Sequence, residues 1–215
     1  MLGVVLLCVA APLQEGALYD QLYINGYHGD HNFSQATIIV DYLRRARTPG
    51  LTVLDYGCSH GWAVAQLWQL GINASGFDVS AVAASIADQT RSKGRRCVDK
   101  LGFCFTSTRT RLDVGGAKHA VDIVMSSDVL EHVPSERVTS VTRRLAHLAR
   151  HQLVLKIASV TEGNRQPLRT LRARDRPVSL HVTVRPMRWW VGQFERVGFS
   201  LVSRLSPDTV VLKRY

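Results

Sequence analysis

The sequence predicts an α/β domain on a doubly wound sheet, and three stretches carry that prediction. Leu51 to Trp62 (LTVLDYGCSHGW) is a short apolar run that stops at Asp55, a turn with Gly57 and Gly61, and the start of a helix-like stretch. A strand, a glycine-rich turn and a helix in that order bring backbone N–H groups and a helix N-terminus to a polar ligand at the carboxyl end of the strand. Leu70 to Ser80 (LGINASGFDVS) is a second apolar segment, ending in Asp78. That acid lies about 20 residues beyond the loop, where nucleotide-binding sheets place a carboxylate for ribose hydroxyls. Ala120 to Met125 (AVDIVM) is a third such segment, followed by Ser126, Ser127 and Asp128. In a doubly wound sheet it neighbours the first strand, and the crevice between their carboxyl ends holds the ligand.

Gly57-Cys58-Ser59-His60-Gly61 also fits G-x-S-x-G, the turn that presents a nucleophilic serine in hydrolases. The acid at Asp78 has no role in that reading. The elbow also normally follows several strands, whereas the residues before 51 hold one strand at most.

The three stretches VLDYGCSHG (53 to 61), GFDVS (76 to 80) and VDIVMSSDVLEHVP (121 to 134) together resemble the class I S-adenosylmethionine-dependent methyltransferases, in the family's order and spacing. The resemblance implies a Rossmann-like fold: a seven-stranded, mostly parallel sheet with an antiparallel C-terminal strand and helices on both faces. It implies S-adenosyl-L-methionine as cofactor. Asp55, Gly57, Cys58, Ser59 and Gly61 would hold its methionine part, Asp78 its ribose with Val79 also at the cofactor, and Ser126, Ser127 and Asp128 would face the sulfonium. One departure is Ser59, where the family usually carries glycine in G-C-G-x-G; its hydroxyl is small enough to point at the cofactor carboxylate.

In chain order, Met1 to Pro12 (MLGVVLLCVAAP) is uninterruptedly apolar, short for a membrane span of roughly 20 residues and closer to a signal-peptide core. No Lys or Arg precedes it, and a packed hydrophobic segment reads equally well; the expectation is a cytoplasmic protein. Residues 1–15 form this segment, 16–50 an N-terminal lid and helix, and 51–215 the cofactor-binding domain. A single domain suits 215 residues.

Gly16 to His31 is dense in tyrosine and histidine, and an amphipathic helix over Gln35 to Arg47, capped by Ser34, follows. The resemblance makes this a lid with Tyr23, Tyr27 and His28 facing the substrate; simple packing of the rings onto the sheet is the other reading. Helices are expected from Trp62 to Leu70 and from Ser80 to Ser92, and a strand from Gly102 to Ser107. The loop beyond holds Asp113, where the family often has an acid for the adenine amino group.

Leu130-Glu131-His132-Val133 also matches the family. His132 has the ordinary pKa range of a general base for a hydroxyl nucleophile, and Asp128 lies at the transfer site. Alternatively, Glu131 and His132 cap or brace the helix from Ser135 to His151. No metal is assigned. The D-x-x-E-H spacing of Asp128, Glu131 and His132 is similar to the E-x-x-E-H of some metal-assisted members, including quinone O-methyltransferases and small-RNA 2′-O-methyltransferases, but the family's generic V-L-E-H-V occurs without metal.

Gln152 to Ala158 is the next strand, and Thr161 to Pro177 carries Arg165, Arg169, Arg172, Arg174 and Arg176, an anion-recognition arm or a solvated loop. Ser179 to Pro186 leads into a helix with Trp189, Trp190 and Phe194, and Phe199 to Leu205 with Thr209 to Lys213 closes the chain as an antiparallel pair. The formal charge of +10 suits an anionic partner: a small acidic molecule, a glycan or an RNA. None of the four cysteines has metal-type spacing; Cys97 and Cys104 pair only if the chain between them folds back, so free thiols are expected. The reading is therefore methyl transfer from S-adenosylmethionine. A serine hydrolase using Ser59, or a nucleic-acid or anion-binding protein that keeps the fold without turnover, are the alternatives.

Overall fold

The computed structural model describes residues 12–27, 36–91, 97–107, 118–159, 172–173, 176–177 and 180–215. The apolar leader, His28, Ser34, Asp113 and most of the arginine-rich arm lie outside them.

Helix α1 (Pro12–Ile24) precedes α2 (Thr37–Ala46), β1 (Thr52–Tyr56), α3 (Trp62–Gln69), β2 (Asn73–Asp78) and α4 (Ala81–Arg91). Then follow β3 (Phe105–Ser107), β4 (Val121–Ser127), α5 (Val138–Leu148) and β5 (Ala149–Lys156). Two short strands, β6 (Arg172–Ala173) and β7 (Arg176–Pro177), pair with each other, and α6 (Met187–Glu195), β8 (Phe199–Ser206) and β9 (Thr209–Arg214) complete the chain.

The main sheet has the order β3-β2-β1-β4-β5-β9-β8. Strands β1 to β5 are parallel, β9 runs antiparallel between β5 and β8, and β8 shares the direction of the first five. The expected seven-stranded mixed sheet is thus present. Its order reverses at β1 and β4, so their carboxyl ends open the crevice that the ligand needs.

Alternation along the central strands divides the core. Leu54, Val124, Leu153 and Leu155 point to the side covered by Leu145 of α5 and Trp190 and Phe194 of α6. Their neighbours Val53, Ile123, Met125 and Val154 point to the other side, under Ile39 and Leu43 of α2 and Val64 and Leu67 of α3. Both layers are closed, which holds the sheet's carboxyl edge as a rigid platform.

Several boundaries differ from expectation. The helix read as Ser135 to His151 is a 3₁₀ turn (Ser135–Arg137) followed by α5, and the next strand starts at Ala149 rather than Gln152. Ladder pairing of Val121 with Ala149 competes successfully with helix propensity there, and Arg214 bonds the carbonyls of Ala146, Ala149 and Arg150 where the helix leaves them unpaired. Helix α2 begins at Thr37 with Ala36 at its N-cap, later than the expected start at Gln35. Strand β3 is shorter than Gly102 to Ser107 because Gly102, with φ of 70°, ends a tight turn.

The thiols are a further correction. Val98 and Phe103 form an antiparallel bridge that folds the segment back, and Cys97 and Cys104 are joined as a disulfide with Cα atoms 4.9 Å apart. Cys58 is a buried free thiol.

Candidate active site

The turn after β1 is fastened to β2. The N–H groups of Gly57 and Cys58 both donate to the Phe77 carbonyl, at 2.7 and 2.9 Å. Gly57 has φ of 86°, and a Cβ there would lie 2.2 Å from Cγ2 of Val129; only glycine fits beneath the loop that follows β4. Gly61 (φ 72°) sits against the Phe105 ring, which a Cβ would meet at 2.5 Å.

Asp78 ties loop to helix. Its carboxylate accepts from Ser59 N–H at 2.8 Å and from Ser80 N–H at 2.9 Å, and also from the N–H of Val79. Asp55 lies buried at the end of β1. Burial, followed by the nearby charge of Asp78, pushes its carboxyl up to about 7. Burial pushes Asp78 up to about 6 against those N–H bonds. Two such carboxyls in one crevice favour a ligand that brings hydroxyls or positive charge.

Helix α1 lies across this edge. Asp20 accepts from Ser80 Oγ at 2.6 Å and from Val82 N–H at 3.1 Å, while Ser80 Oγ accepts from Ala83 N–H, so two side chains cap α4 together. Tyr23 is buried beside the His60 ring, and its hydroxyl is hydrogen-bonded to Ser59. Tyr27 stands among carboxylates: burial, then Glu131, Asp78 and Asp128, push its phenol up to about 12. Tyr23 thus contacts the glycine loop, and the Tyr27 ring packs edge-on against that of Tyr23.

The opposite wall follows β4. Asp128 adopts φ of 54°, donates its N–H to the Lys156 carbonyl, and has its carboxylate held by Lys156 Nζ at 2.6 and 2.7 Å. Ser127 Oγ donates to the same carboxylate at 2.9 Å. Ser126, expected to face the crevice, is buried and bonds the Tyr56 carbonyl, stitching β4 to β1.

Glu131 is fully buried, and the hydrogen bonds it makes among the described residues run to segments other than the helix after Ser135. Its Oε1 accepts from Ala158 N–H, and its carbonyl accepts from Val182 and Thr183 N–H, so it organises the segment before α6 instead. Burial, then Asp128, pushes its carboxyl up to about 7. His132 Nδ1 lies 2.8 Å from the Tyr19 hydroxyl, and its ring meets that of His181 with centroids 4.8 Å apart.

The structure therefore brings Asp55, Gly57, Cys58, Ser59, Gly61, Asp78 and Val79 to one wall and Ser127, Asp128 and His132 to the other. Sequence reasoning missed Tyr19, Asp20, Lys156 and His181. Lys156 alone left a signal, as the one charged residue in the stretch from Gln152 to Ala158.

A glycine loop after the first strand, an acid after the second and an antiparallel strand inserted near one sheet edge define a Rossmann-like methyltransferase fold. The family described as Methyltransferase domain matches residues 30–204, and the chain belongs to it. Over 133 residues, 62% of the chain, it is 28% identical to magnesium-protoporphyrin O-methyltransferase of Synechocystis sp. (strain ATCC 27184 / PCC 6803 / Kazusa). The matched stretch spans 55% of that relative's length.

Among solved structures, magnesium protoporphyrin IX methyltransferase from Synechocystis PCC 6803 with bound SAH has a TM-score of 0.69 at 22% identity, covering 95% of this chain and 100% of that one. A Burkholderia thailandensis 1,6-didemethyltoxoflavin-N1-methyltransferase, with 1,6-didemethyltoxoflavin and S-adenosylhomocysteine bound, has a TM-score of 0.62 at 14% identity over 96% of this chain and 91% of that one. Among the described residues no helix is long and apolar enough to cross a membrane.

Proposed function

We propose that the chain transfers the methyl group of S-adenosylmethionine to a small-molecule acceptor bound between the β1 and β4 edges. The observation that carries this reading is the Asp78 carboxylate, locked by Ser59 and Ser80 N–H bonds to a glycine loop that a Cβ at Gly57 would block. In this reading Asp55 and the Gly57–Gly61 loop hold the methionine moiety, Asp78 the ribose, and Ser127 and Asp128 border the sulfonium.

The chemistry is an in-line displacement. A lone pair of the acceptor forms the bond to the methyl carbon as the carbon–sulfur bond breaks, its electron pair passing to sulfur and leaving a neutral thioether. His132 takes the acceptor's proton where the nucleophile is a hydroxyl. Alignment is the protein's main contribution, worth roughly 7–11 kcal/mol for a near-attack geometry. The carboxylates of Asp55, Asp78, Asp128 and Glu131 outnumber Lys156, a balance that suits a cationic donor. A small acceptor is supported by the relatives, whose names specify magnesium protoporphyrin and 1,6-didemethyltoxoflavin.

The hydrolase alternative finds less support, since Ser59 Oγ engages the Tyr23 hydroxyl. Calorimetric titration with S-adenosylmethionine and S-adenosylhomocysteine tests the proposal. Micromolar binding that Asp78→Ala abolishes is the expected result; no binding by folded wild type overturns it.

A further inference from the structure

Glu131 poses a problem that the methyl-transfer reading leaves unsolved. Its side chain is wholly buried, and while Oε1 takes the Ala158 N–H, Oε2 meets no hydrogen-bond donor among the described residues. A buried carboxylate oxygen without a partner costs free energy, so the space it faces calls for a proton or a cation.

Two imidazoles stand beside this carboxyl. His132 follows on the same turn, and His181 comes from the distant segment that the Glu131 carbonyl holds through Val182 and Thr183. One ligand atom from each of Glu131, His132 and His181 lies within 4.8 Å of the others. The Tyr19 hydroxyl, 2.8 Å from His132 Nδ1, supplies the outer bond that typically orients a metal-binding imidazole. Asp128, adjacent in sequence pattern, is committed to Lys156 and stays outside the group.

We propose that Glu131, His132 and His181 form a binding site for a first-row transition-metal dication. Two imidazoles and one carboxylate suit zinc, iron or cobalt better than magnesium, which prefers an all-oxygen shell. The ion lies one turn beyond Asp128, next to the transfer site. There it would polarise an acceptor oxygen and lower the pKa of its hydroxyl, so that the proton leaves to solvent and His132, with one nitrogen on the ion and the other at the Tyr19 hydroxyl, no longer serves as the base; the acceptor is then an oxygen nucleophile. This last step rests on the methyl-transfer reading; binding of the ion does not.

The test uses chelator-stripped full-length chain, titrated with Zn²⁺ by calorimetry and with Co²⁺ by visible absorption, for wild type, His181→Ala, Glu131→Gln, Tyr19→Phe and the surface variant His151→Ala. Circular dichroism checks that each is folded, and His181→Gln replaces any alanine variant that is not. Wild type is expected to bind one ion with d–d bands for Co²⁺, and His151→Ala to match it. His181→Ala and Glu131→Gln should lose the bands, and Tyr19→Phe should weaken binding about tenfold or more. Absence of Co²⁺ bands in wild type, or equal binding by folded His181→Ala and Glu131→Gln, overturns the site. S-adenosylhomocysteine titration of the same samples separates the two proposals, because it reads the donor site without the ion.

Discussion

Lys156 Nζ lies 2.6 and 2.7 Å from the two carboxylate oxygens of Asp128, joining the ends of β4 and β5 at the point where Asp128 takes a left-handed backbone. Both side chains are largely withdrawn from water, at 18% and 19% exposure. Lys156→Ala therefore strands a carboxylate and releases a strained residue. It should cost about 2–4 kcal/mol, the lower end reflecting the remaining solvent contact. Urea unfolding measures that cost, and adding Asp128→Asn to the alanine variant should recover part of it. A surface-like value below about 0.5 kcal/mol would remove the pair from the list of organising contacts.

Acidity provides a second expectation. Burial raises Asp55 from 3.8 to about 7 and Asp78 from 3.8 to about 6. Both groups hold protons more tightly in the folded chain, so the stability they contribute is complete below about pH 4 and is lost as pH rises through 6 to 7. Asp55→Asn removes its share of that loss. The Tm advantage of this variant over ligand-free wild type should grow between pH 5 and 8, as read by calorimetry; a constant difference would contradict it. Donor affinity should run the other way and increase with pH, because ionised carboxylates receive the sulfonium ligand.

Gly57→Ala places a methyl group 2.2 Å from Val129 Cγ2 at a φ of 86°. The combined clash and strain should cost on the order of 3 kcal/mol and abolish donor binding. Pairing it with Val129→Ala removes the two worst contacts but leaves the Cβ of residue 129 at 3.1 Å and the backbone strain, so chemical denaturation should show partial rescue.

The Cys97–Cys104 disulfide closes a short loop before β3. Cys97→Ser should lower stability by roughly 2–3 kcal/mol without reductant and change little with it. Thiol counting on denatured, unreduced protein gives an independent check, finding only Cys8 and Cys58 reactive.

Much of the fold was legible because its signals are local. Short apolar runs ending at Asp55, Asp78 and Asp128, with glycines at 57 and 61, mark strand ends and the turn between them within a few residues. The alternation that sends Val53 and Leu54 to opposite cores is likewise local. The end of α5 was not legible, since Ala149 to His151 fit a helix by propensity and became strand only because β4 offered ladder partners.

The chain by itself determined the order of the elements, the glycine loop and the acids that line one wall of the crevice. Tertiary structure decided the rest: that Tyr19 reaches His132, that Lys156 holds Asp128, that His181 joins Glu131, and that Cys97 meets Cys104. Apart from the short disulfide loop, these contacts link residues remote in sequence. No spacing rule encodes them; they exist because the sheet brings its carboxyl ends together and α1 and the segment before α6 pack across that edge.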